Sequence, residues 1–170
     1  VNKFGKLVIP CEYDDVDYLP EGLAIVKANG KYGLINTDSD VIAPCIYDSV
    51  GSIYESSCCG IVRSISSEDL VIRVQRKGKY GLVNKFGKLV IPCEYDDVDY
   101  FSEGRVKANG KYGFVNKFGK LVIPCIYDQM ESFYNGLCKV RQGDVWKVIN
   151  KEGKVIIPQC TENTFWSIVE

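Results

Sequence analysis

The most prominent candidates for chemistry in this chain are acidic side chains that recur in short loops. These loop carboxylates are Asp14, Asp15 and Asp17, then Asp48, then Asp96, Asp97 and Asp99, then Asp128 with Glu131. Carboxylates two residues apart can contribute to a calcium site, but a complete site needs about six to eight oxygens. The loops lack the glycine and the downstream Glu of the EF-hand pattern. We interpret them as acceptors for backbone N–H groups of turns, with calcium or carbohydrate binding as the alternative.

Several common catalytic groups are missing from the sequence. There is no His, so the commonest general base and the commonest metal ligand are excluded. The glycines fall one at a time, without a P-loop or a dinucleotide-binding fingerprint. Identical repeated loops also provide no differentiated acid and nucleophile of the kind that glycosidases use. The sequence therefore predicts that the protein is not an enzyme and has no catalytic residue, cofactor or metal ligand.

The eight cysteines occupy only a few kinds of position. Four of them recur once per repeat in the same context, namely Cys11, Cys45, Cys93 and Cys125. The other four are Cys58, Cys59, Cys138 and Cys160. None of the eight forms the C-x-x-C pair that binds zinc or exchanges thiols. We predict that the recurring cysteines are buried thiols, with disulfides as the alternative, and this usage favours a reducing compartment.

The balance of charge excludes one class of partner. Lys and Arg number 21 against 22 Asp and Glu, which gives a net charge of -1. Such a chain has no long-range positive field to attract nucleic acid, so we expect no nucleic-acid partner. No apolar run approaches the ~20 residues of a membrane-spanning helix, and the first residues do not resemble a signal peptide. Because the chain begins inside a repeat, we expect any targeting segment to lie outside it.

A tandem repeat positions these candidate residues. Residues 1–18 recur letter for letter at 83–100, and the first eleven of them recur again at 115–125. The proline after each apolar stretch recurs with spacings of 34, 48, 32 and 34, at Pro10, Pro44, Pro92, Pro124 and Pro158. Fixed periods of this length are typical of solenoids and propellers. The identity of the copies points to recent duplication.

The whole chain is predicted to be a single array of five units. Their approximate bounds are 1–26, 27–74, 75–106, 107–140 and 141–170, of which the first and last are partial. The second unit is longer because of an insertion near 56–70, which contains Cys58, Cys59, Arg63, Glu68 and Asp69. Insertions in repeat arrays fall in loops and often lie on the binding face. We therefore select these five residues as candidate interaction residues.

Each unit is predicted to be a short three-stranded antiparallel meander. The first turn is Asn29-Gly30 or Asn109-Gly110, which suits a two-residue type I′ hairpin, and Lys77-Gly78 and Gln142-Gly143 hold the same place in two other units. The second turn is usually Asn-Lys-Phe-Gly-Lys, where glycine supplies a left-handed residue. The third strand ends at the proline, which lacks the N–H that would continue the ladder.

The middle strand of each unit carries an aromatic residue. These aromatics are Tyr32, Tyr80, Tyr112 and Trp146, followed by glycine in the first three units and by Lys147 in the last. Neighbouring side chains on a strand point to opposite faces. The aromatic can therefore fill the interior while the glycine leaves space for an approaching ring or backbone. We predict that the aromatics are structural core residues and not a platform for stacking a ligand.

Residues 78–104, G-K-Y-G-L-V-N-K-F-G-K-L-V-I-P-C-E-Y-D-D-V-D-Y-F-S-E-G, resemble the bacterial WG repeat, also called the KWG repeat. That repeat has an aromatic-Gly pair, a turn glycine, an apolar strand ending at proline, a Tyr-Asp motif and a Phe-Ser-x-Gly loop. The resemblance covers nearly all of the chain apart from the insertion and the C-terminal end. Tyr replaces Trp in three units, and the unit with Trp146 has lost the following glycine. The resemblance implies a binding or scaffold array with no catalytic residues to carry over.

The sequence thus predicts an all-β tandem repeat array that is open and superhelical, like a solenoid, with a propeller as the alternative. The predicted function is protein–protein interaction as a non-enzymatic binding or scaffold module. The alternative is a self-assembling filament or surface protein, suggested by uncapped ends and by Lys and Asp at opposite ends of the third strand. The expected partner is an unidentified protein or a second copy of the chain.

Overall fold

The computed structural model describes residues 12–19, 22–51, 71–99, 104–116 and 118–161. In these ranges the chain forms sixteen β-strands and no α-helix. The strands are β1 (Asp15–Leu19), β2 (Leu23–Ala28), β3 (Lys31–Asn36), β4 (Val41–Tyr47), β5 (Ser49–Val50), β6 (Val71–Arg76), β7 (Lys79–Asn84), β8 (Leu89–Tyr95), β9 (Asp97–Asp99), β10 (Arg105–Ala108), β11 (Lys111–Val115), β12 (Leu121–Tyr127), β13 (Gln129–Met130), β14 (Leu137–Gln142), β15 (Val145–Asn150) and β16 (Val155–Cys160).

The strands form four antiparallel sheets, which we number 1 to 4 and which contain β1–β4, β5–β8, β9–β12 and β13–β16. In every sheet the strands lie in chain order, so each strand is hydrogen-bonded only to its neighbours along the chain. None of these four sheets closes into a barrel. The prediction of an all-β repeat array is confirmed. Each sheet has one strand more than predicted, because residues after the Tyr-Asp motif form a short additional edge strand.

The hairpin turn between the second and third strands follows the sequence closely in three sheets. Asn109 and Gly110 have φ angles of 52° and 77°, the left-handed pair that a type I′ turn requires. Lys77 and Gly78 adopt the same conformation, with φ angles of 53° and 74°. In sheet 4 the predicted turn is displaced by one residue. Gln142 still pairs with Val145, so the turn residues are Gly143 and Asp144 and not Gln142 and Gly143.

The chain divides into two compact units, Val1–Cys93 and Glu94–Glu170. In the first unit, sheets 1 and 2 pack together through a shared apolar core. Its buried members are Leu23, Ile25, Leu34, Ala43, Tyr47, Ile72, Val74 and Val83. The opposite face of sheet 1 buries a second cluster, Ala24, Val26 and Ile35. Burial on both faces explains why the strand Leu23–Ala28 is almost continuously apolar and does not alternate.

In the second unit, sheets 3 and 4 share a core of the same kind. Its buried members are Phe114, Ile123, Tyr127, Met130, Cys138, Val140 and Ile149. Phe133 closes one side of this core, with its ring edge-on to Phe114 at 5.0 Å between ring centres. Stacked sheets that share apolar faces position the loops and strand edges in which the candidate functional residues lie.

Candidate functional site

The four predicted aromatics lie at equivalent places on the middle strands, and each is partly buried. A cationic side chain of the neighbouring strand lies over each ring, with distances to the ring centre of 5.2 Å for Lys27 and Tyr32, 3.9 Å for Arg73 and Tyr80, 5.0 Å for Lys107 and Tyr112, and 4.4 Å for Lys139 and Trp146. A cation over an aromatic face is attracted by the electrons of the ring. The ring faces are thus in contact with side chains of their own sheets.

In sheets 1 and 3, burial is deeper at the tyrosine of the Tyr-Asp motif, which the repeat pattern alone does not identify as a core residue. Tyr47 and Tyr127 expose only 6% and 5% of their surface. Each lies directly opposite a middle-strand aromatic, in the pairs Tyr32–Tyr47 and Tyr112–Tyr127. Burial raises the pKa of both buried hydroxyls. The constant separation of the two aromatics along the sequence was the available signal for this pairing.

The glycine after each middle-strand tyrosine lies against the backbone of the last strand. A Cβ at Gly113 would lie 2.6 Å from the carbonyl oxygen of Ile123 and 2.8 Å from Sγ of Cys125. Gly33 and Gly81 are equally crowded. Real Cβ atoms do not approach other atoms this closely, so only glycine fits without a shift of the backbone. The prediction that glycine leaves space for an approaching backbone is confirmed.

A β-bulge with two additional residues in the last strand of sheet 3 accompanies this crowding. Between the pairs Phe114–Ile123 and Tyr112–Tyr127, the register advances four residues on β12 but only two on β11. The residues between these pairs include the Pro-Cys step of the repeat, Pro124 and Cys125, and a bulge of this kind bends its strand. The aromatic-Gly pair and the Pro-Cys step therefore contact each other, with the glycine packed against the bulged residues of the last strand.

The aspartate of the Tyr-Asp motif connects consecutive sheets. The backbone N–H of Asp128 donates to the carbonyl of Arg141 in sheet 4 at 2.8 Å. One carboxylate oxygen of Asp128 accepts a hydrogen bond of 2.8 Å from the N–H of Gly143, at the hairpin turn of sheet 4. The other oxygen binds Nζ of Lys111 in sheet 3. Asp128 thus joins its own sheet to the turn of the next one.

The same arrangement occurs in the first unit. Asp48 binds Nζ of Lys31 in sheet 1 and accepts a hydrogen bond of 3.4 Å from the N–H of Gly78, at the turn of sheet 2. Asp14 accepts one of 3.0 Å from the N–H of Asn29. The interpretation of these loop aspartates as acceptors for turn N–H groups is confirmed. The lysine partners hold the pKa of Asp48 and of Asp128 below the ordinary 3.8.

Two other loop carboxylates form ion pairs across the edge of a sheet. Asp99 binds Arg105 at 2.6 Å, and Glu131 lies 3.7 Å from Nζ of Lys139. Lys139 exposes only 3% of its surface, so its charge is held between Glu131 and the ring of Trp146. Within the described ranges, no three Cys, Asp or Glu side chains come close enough to form a metal site.

The described cysteines are free thiols, namely Cys45, Cys93, Cys125, Cys138 and Cys160. The first three lie on the last strands of their sheets with Sγ against the middle-strand glycines, and desolvation raises the pKa of each thiol. Cys138 is completely buried, and burial raises its pKa to about 12. The thiolate is the reactive form of cysteine, and a raised pKa lowers its population. These environments therefore favour a packing role over a nucleophilic or metal-binding role. Cys11 lies outside the described residues.

The candidate interaction residues of the insertion also lie outside the residues that the structure describes. They are Cys58, Cys59, Arg63, Glu68 and Asp69. Their assignment to a binding face stays a prediction.

Apolar side chains are exposed at equivalent positions on the last strand of every sheet. The first residue of that strand is exposed in all four, as Val41, Leu89, Leu121 and Val155. Ile46 and Ile126 are also exposed, farther along β4 and β12. This strand is at the outer edge of each sheet, because it follows the middle strand and ends the hydrogen-bonded order.

Comparison with known proteins agrees with this repeat architecture. The family described as WG containing repeat matches residues 1–32, 32–63, 80–112 and 112–146, well over half of the chain. Every match begins or ends at one of the middle-strand aromatics. A comparison with curated proteins finds no match. No helix that could cross a membrane occurs in the part of the chain described above. The chain belongs to the WG-repeat family.

Proposed function

We propose that the protein is a non-enzymatic binding or scaffold module that contacts a partner protein through the last strands of its sheets. The observation that carries this proposal is the repeated exposure of an apolar residue at the first position of β4, β8, β12 and β16. Scattered exposed apolar residues need no explanation, but recurrence at one structural position provides equivalent contact points. Within one compact unit, two weak contacts of this kind combine into a useful affinity when one partner engages both.

The partner is expected to bind through side chains and not by adding a strand to the sheet. Pro44, Pro124 and Pro158 are exposed on these outer strands. Proline lacks the N–H that a new strand would need as a donor, and a bulge interrupts the regular row of backbone groups. Strand addition depends on that row. Specificity then depends on side chains such as Leu121 and Ile126.

A non-enzymatic role is supported by how the polar side chains are used. Asp48 and Asp128 bind lysine and turn N–H groups, and Asp99 binds Arg105. Carboxylates engaged in this way are poor candidates for calcium or carbohydrate binding. Calorimetry with calcium, before and after Asp97→Asn plus Asp99→Asn, tests that alternative, and heat of binding that the substitutions abolish would favour it.

Site-specific photocrosslinking tests the proposed contact surface. A photoreactive residue is placed at Leu121 and, as the matched control, at Asp144, which is exposed at the hairpin turn. In lysate of the source organism, we expect a discrete protein adduct from position 121 that excess unmodified chain displaces. Equal adducts at both positions, or none at position 121, would contradict the proposal.

Self-assembly is the second candidate, and it is favoured by two adjacent exposed residues on the outermost strand of sheet 4. Val155 and Ile156 expose 42% and 47% of their surface. A second copy could cover this short apolar segment. Sedimentation over a wide concentration range distinguishes the candidates. Association that Val155→Ser plus Ile156→Ser abolishes supports assembly, and a monomer at all concentrations counts against it.

A further inference from the structure

Two turns between the middle and last strands present an exposed phenylalanine. Phe86 in sheet 2 and Phe118 in sheet 3 expose 69% and 76% of their surface. Within the described residues, these are the two largest exposures among the large hydrophobic residues apart from that of Tyr18. We call the turns that contain them the Phe turns. One lies in each compact unit of the chain.

The backbone of each Phe turn is fixed by an asparagine. Oδ1 of Asn84 accepts hydrogen bonds from the N–H of Phe86 at 3.1 Å and of Lys88 at 2.9 Å. Oδ1 of Asn116 accepts equivalent bonds of 3.0 Å from the N–H of Phe118 and of Lys120. An asparagine that bonds its own following backbone makes a defined turn. The exposed rings are thus presented by ordered backbone.

Cationic side chains surround the exposed rings. Lys85 and Lys88 flank Phe86, with Nζ of Lys85 5.1 Å from the ring centre, and Lys120 follows Phe118. The equivalent turns of sheets 1 and 4 lack the exposed ring, although Lys151 and Lys154 flank the corresponding position in sheet 4. Asp38 and Asp40 occupy the turn of sheet 1, and Glu152 occupies the place of phenylalanine in sheet 4. Among the corresponding turns of the four described sheets, an exposed ring beside positive charge therefore occurs in the Phe turns; the same five-residue sequence recurs at residues 2–6, which lie outside the described residues.

The partner of an exposed ring at a turn must be able to cover most of its surface. A ring that exposes most of its surface at a turn is not held in a pocket, so a flat protein surface could cover only part of it. The interface of a lipid bilayer is deformable and can enclose the ring, while anionic headgroups attract nearby lysines. Protein docking at this position would need a pocket on the partner.

We propose that the Phe turns bind the surface of anionic membranes. Phe86 and Phe118 insert at the boundary between headgroups and acyl chains, and Lys85, Lys88 and Lys120 contact anionic headgroups. Because the net charge of the chain is only -1, attraction depends on these local lysines and is sensitive to salt. Each turn supplies a modest affinity, as a single shallow apolar insertion does.

Vesicle sedimentation tests this proposal on the full chain. The probe is phosphatidylcholine vesicles, either pure or with about 30 mol% phosphatidylserine, at low and high salt. We expect binding to the anionic vesicles only, reduced by high salt. Phe86→Ser and Phe118→Ser should each weaken binding roughly tenfold, and the double variant should bind more weakly than either single variant.

Matched variants exclude indirect effects. Asp38→Ser and Glu152→Ser change the equivalent turns and should leave binding unchanged or slightly tighter. Phe86→Trp provides a second readout, because its emission should shift to the blue on anionic vesicles. Unaltered binding by the double variant, or no binding by the parent at low salt, overturns the proposal. If the double variant instead loses a crosslinked protein partner while the parent ignores vesicles, the Phe turns are protein-docking elements and the proposal is wrong.

Discussion

Sheets 3 and 4 have the same four-stranded order, but they differ at the residue after the middle-strand aromatic. In sheet 3 that residue is Gly113, and the last strand advances four residues while the middle strand advances two. In sheet 4 it is Lys147, and β16 advances only three residues between the pairs Val148–Ile157 and Trp146–Cys160. A bulge with two additional residues therefore occurs where the middle strand has glycine, and a bulge with one additional residue occurs where it has a side chain.

The largest effect is expected from Gly113→Ala. The new Cβ would collide with the carbonyl of Ile123 and with Sγ of Cys125. Relief of this clash requires movement of the bulge, so we expect a loss of about 2–3 kcal/mol in the free energy of unfolding, measured by urea denaturation. Lys147→Ala is the matched control in sheet 4, with an expected change within about 1 kcal/mol. Equal losses in both variants would contradict the conclusion that the two positions differ in crowding.

The second effect concerns the buried thiol of sheet 4. Cys138 has its pKa raised by burial to about 12, whereas an unfolded thiol ionises near 9.0. Above pH 9.0 the unfolded state releases its proton first, so the stability that this group contributes falls as pH rises towards 12. The loss should approach about 1.4 kcal/mol per pH unit.

Denaturation of the parent and of Cys138→Ala across alkaline pH measures this contribution, which should appear as a shallower pH dependence in the variant. Cys125→Ala is the control in sheet 3, where the thiol is only partly buried, and should change the slope less. The same pH dependence of the free energy of unfolding in the parent and in Cys138→Ala would show that ionisation of this thiol is not coupled to unfolding.

A smaller effect is expected from Asp128→Asn, which weakens the connection between sheets 3 and 4. Lys111 holds the pKa of Asp128 below 3.8, so its contribution to stability is present above that pH and is lost as pH falls through the lower folded value. The thermal midpoint of the variant should be lower at neutral pH and should depend less on acid. Lys111→Met should reduce the acid dependence similarly. An unchanged acid dependence in both variants would argue against the ion pair.

The smallest effect is expected from exchanging one turn for the other. Gly143→Asn plus Asp144→Gly gives sheet 4 the Asn-Gly turn of sheet 3, where Asn109 and Gly110 both adopt positive φ. Because both turns contain two residues and leave the flanking pair intact, we expect a change within about 0.5 kcal/mol in urea denaturation. A larger loss would show that the turn of sheet 4 is specific to its own hairpin.

Local patterns made most of the fold predictable from the sequence. Turn glycines, strand-ending prolines and identical copies establish the order of strands without knowledge of contacts. In sheets 2 and 4 the additional strand has only two residues, Ser49–Val50 and Gln129–Met130, which is too short to leave a periodic pattern and explains why it was missed there. The connection made by Asp128 depends on contacts between consecutive sheets, which a pattern within one repeat does not contain. The burial of Tyr127 depends on its pairing with Tyr112, for which the constant separation of the two aromatics was the one signal. The exposure of residues such as Ile126 could not be predicted without the position of the bulge. A bulge changes which face of the sheet the following side chains occupy, so simple alternation does not assign their face.

Pairing only between consecutive strands has a consequence for how such a chain folds and evolves. Within the described residues, paired strand positions are at most 26 residues apart, as in Ser49–Gln75, so the entropy of loop closure stays small and formation of each sheet is fast. Exact copies, such as residues 1–18 and 83–100, would compete for partners in a fold with long-range pairing. In this fold, a duplicated segment contains the strands that pair with one another. The gene can therefore lengthen by copying without increasing the sequence distance over which sheet contacts must form.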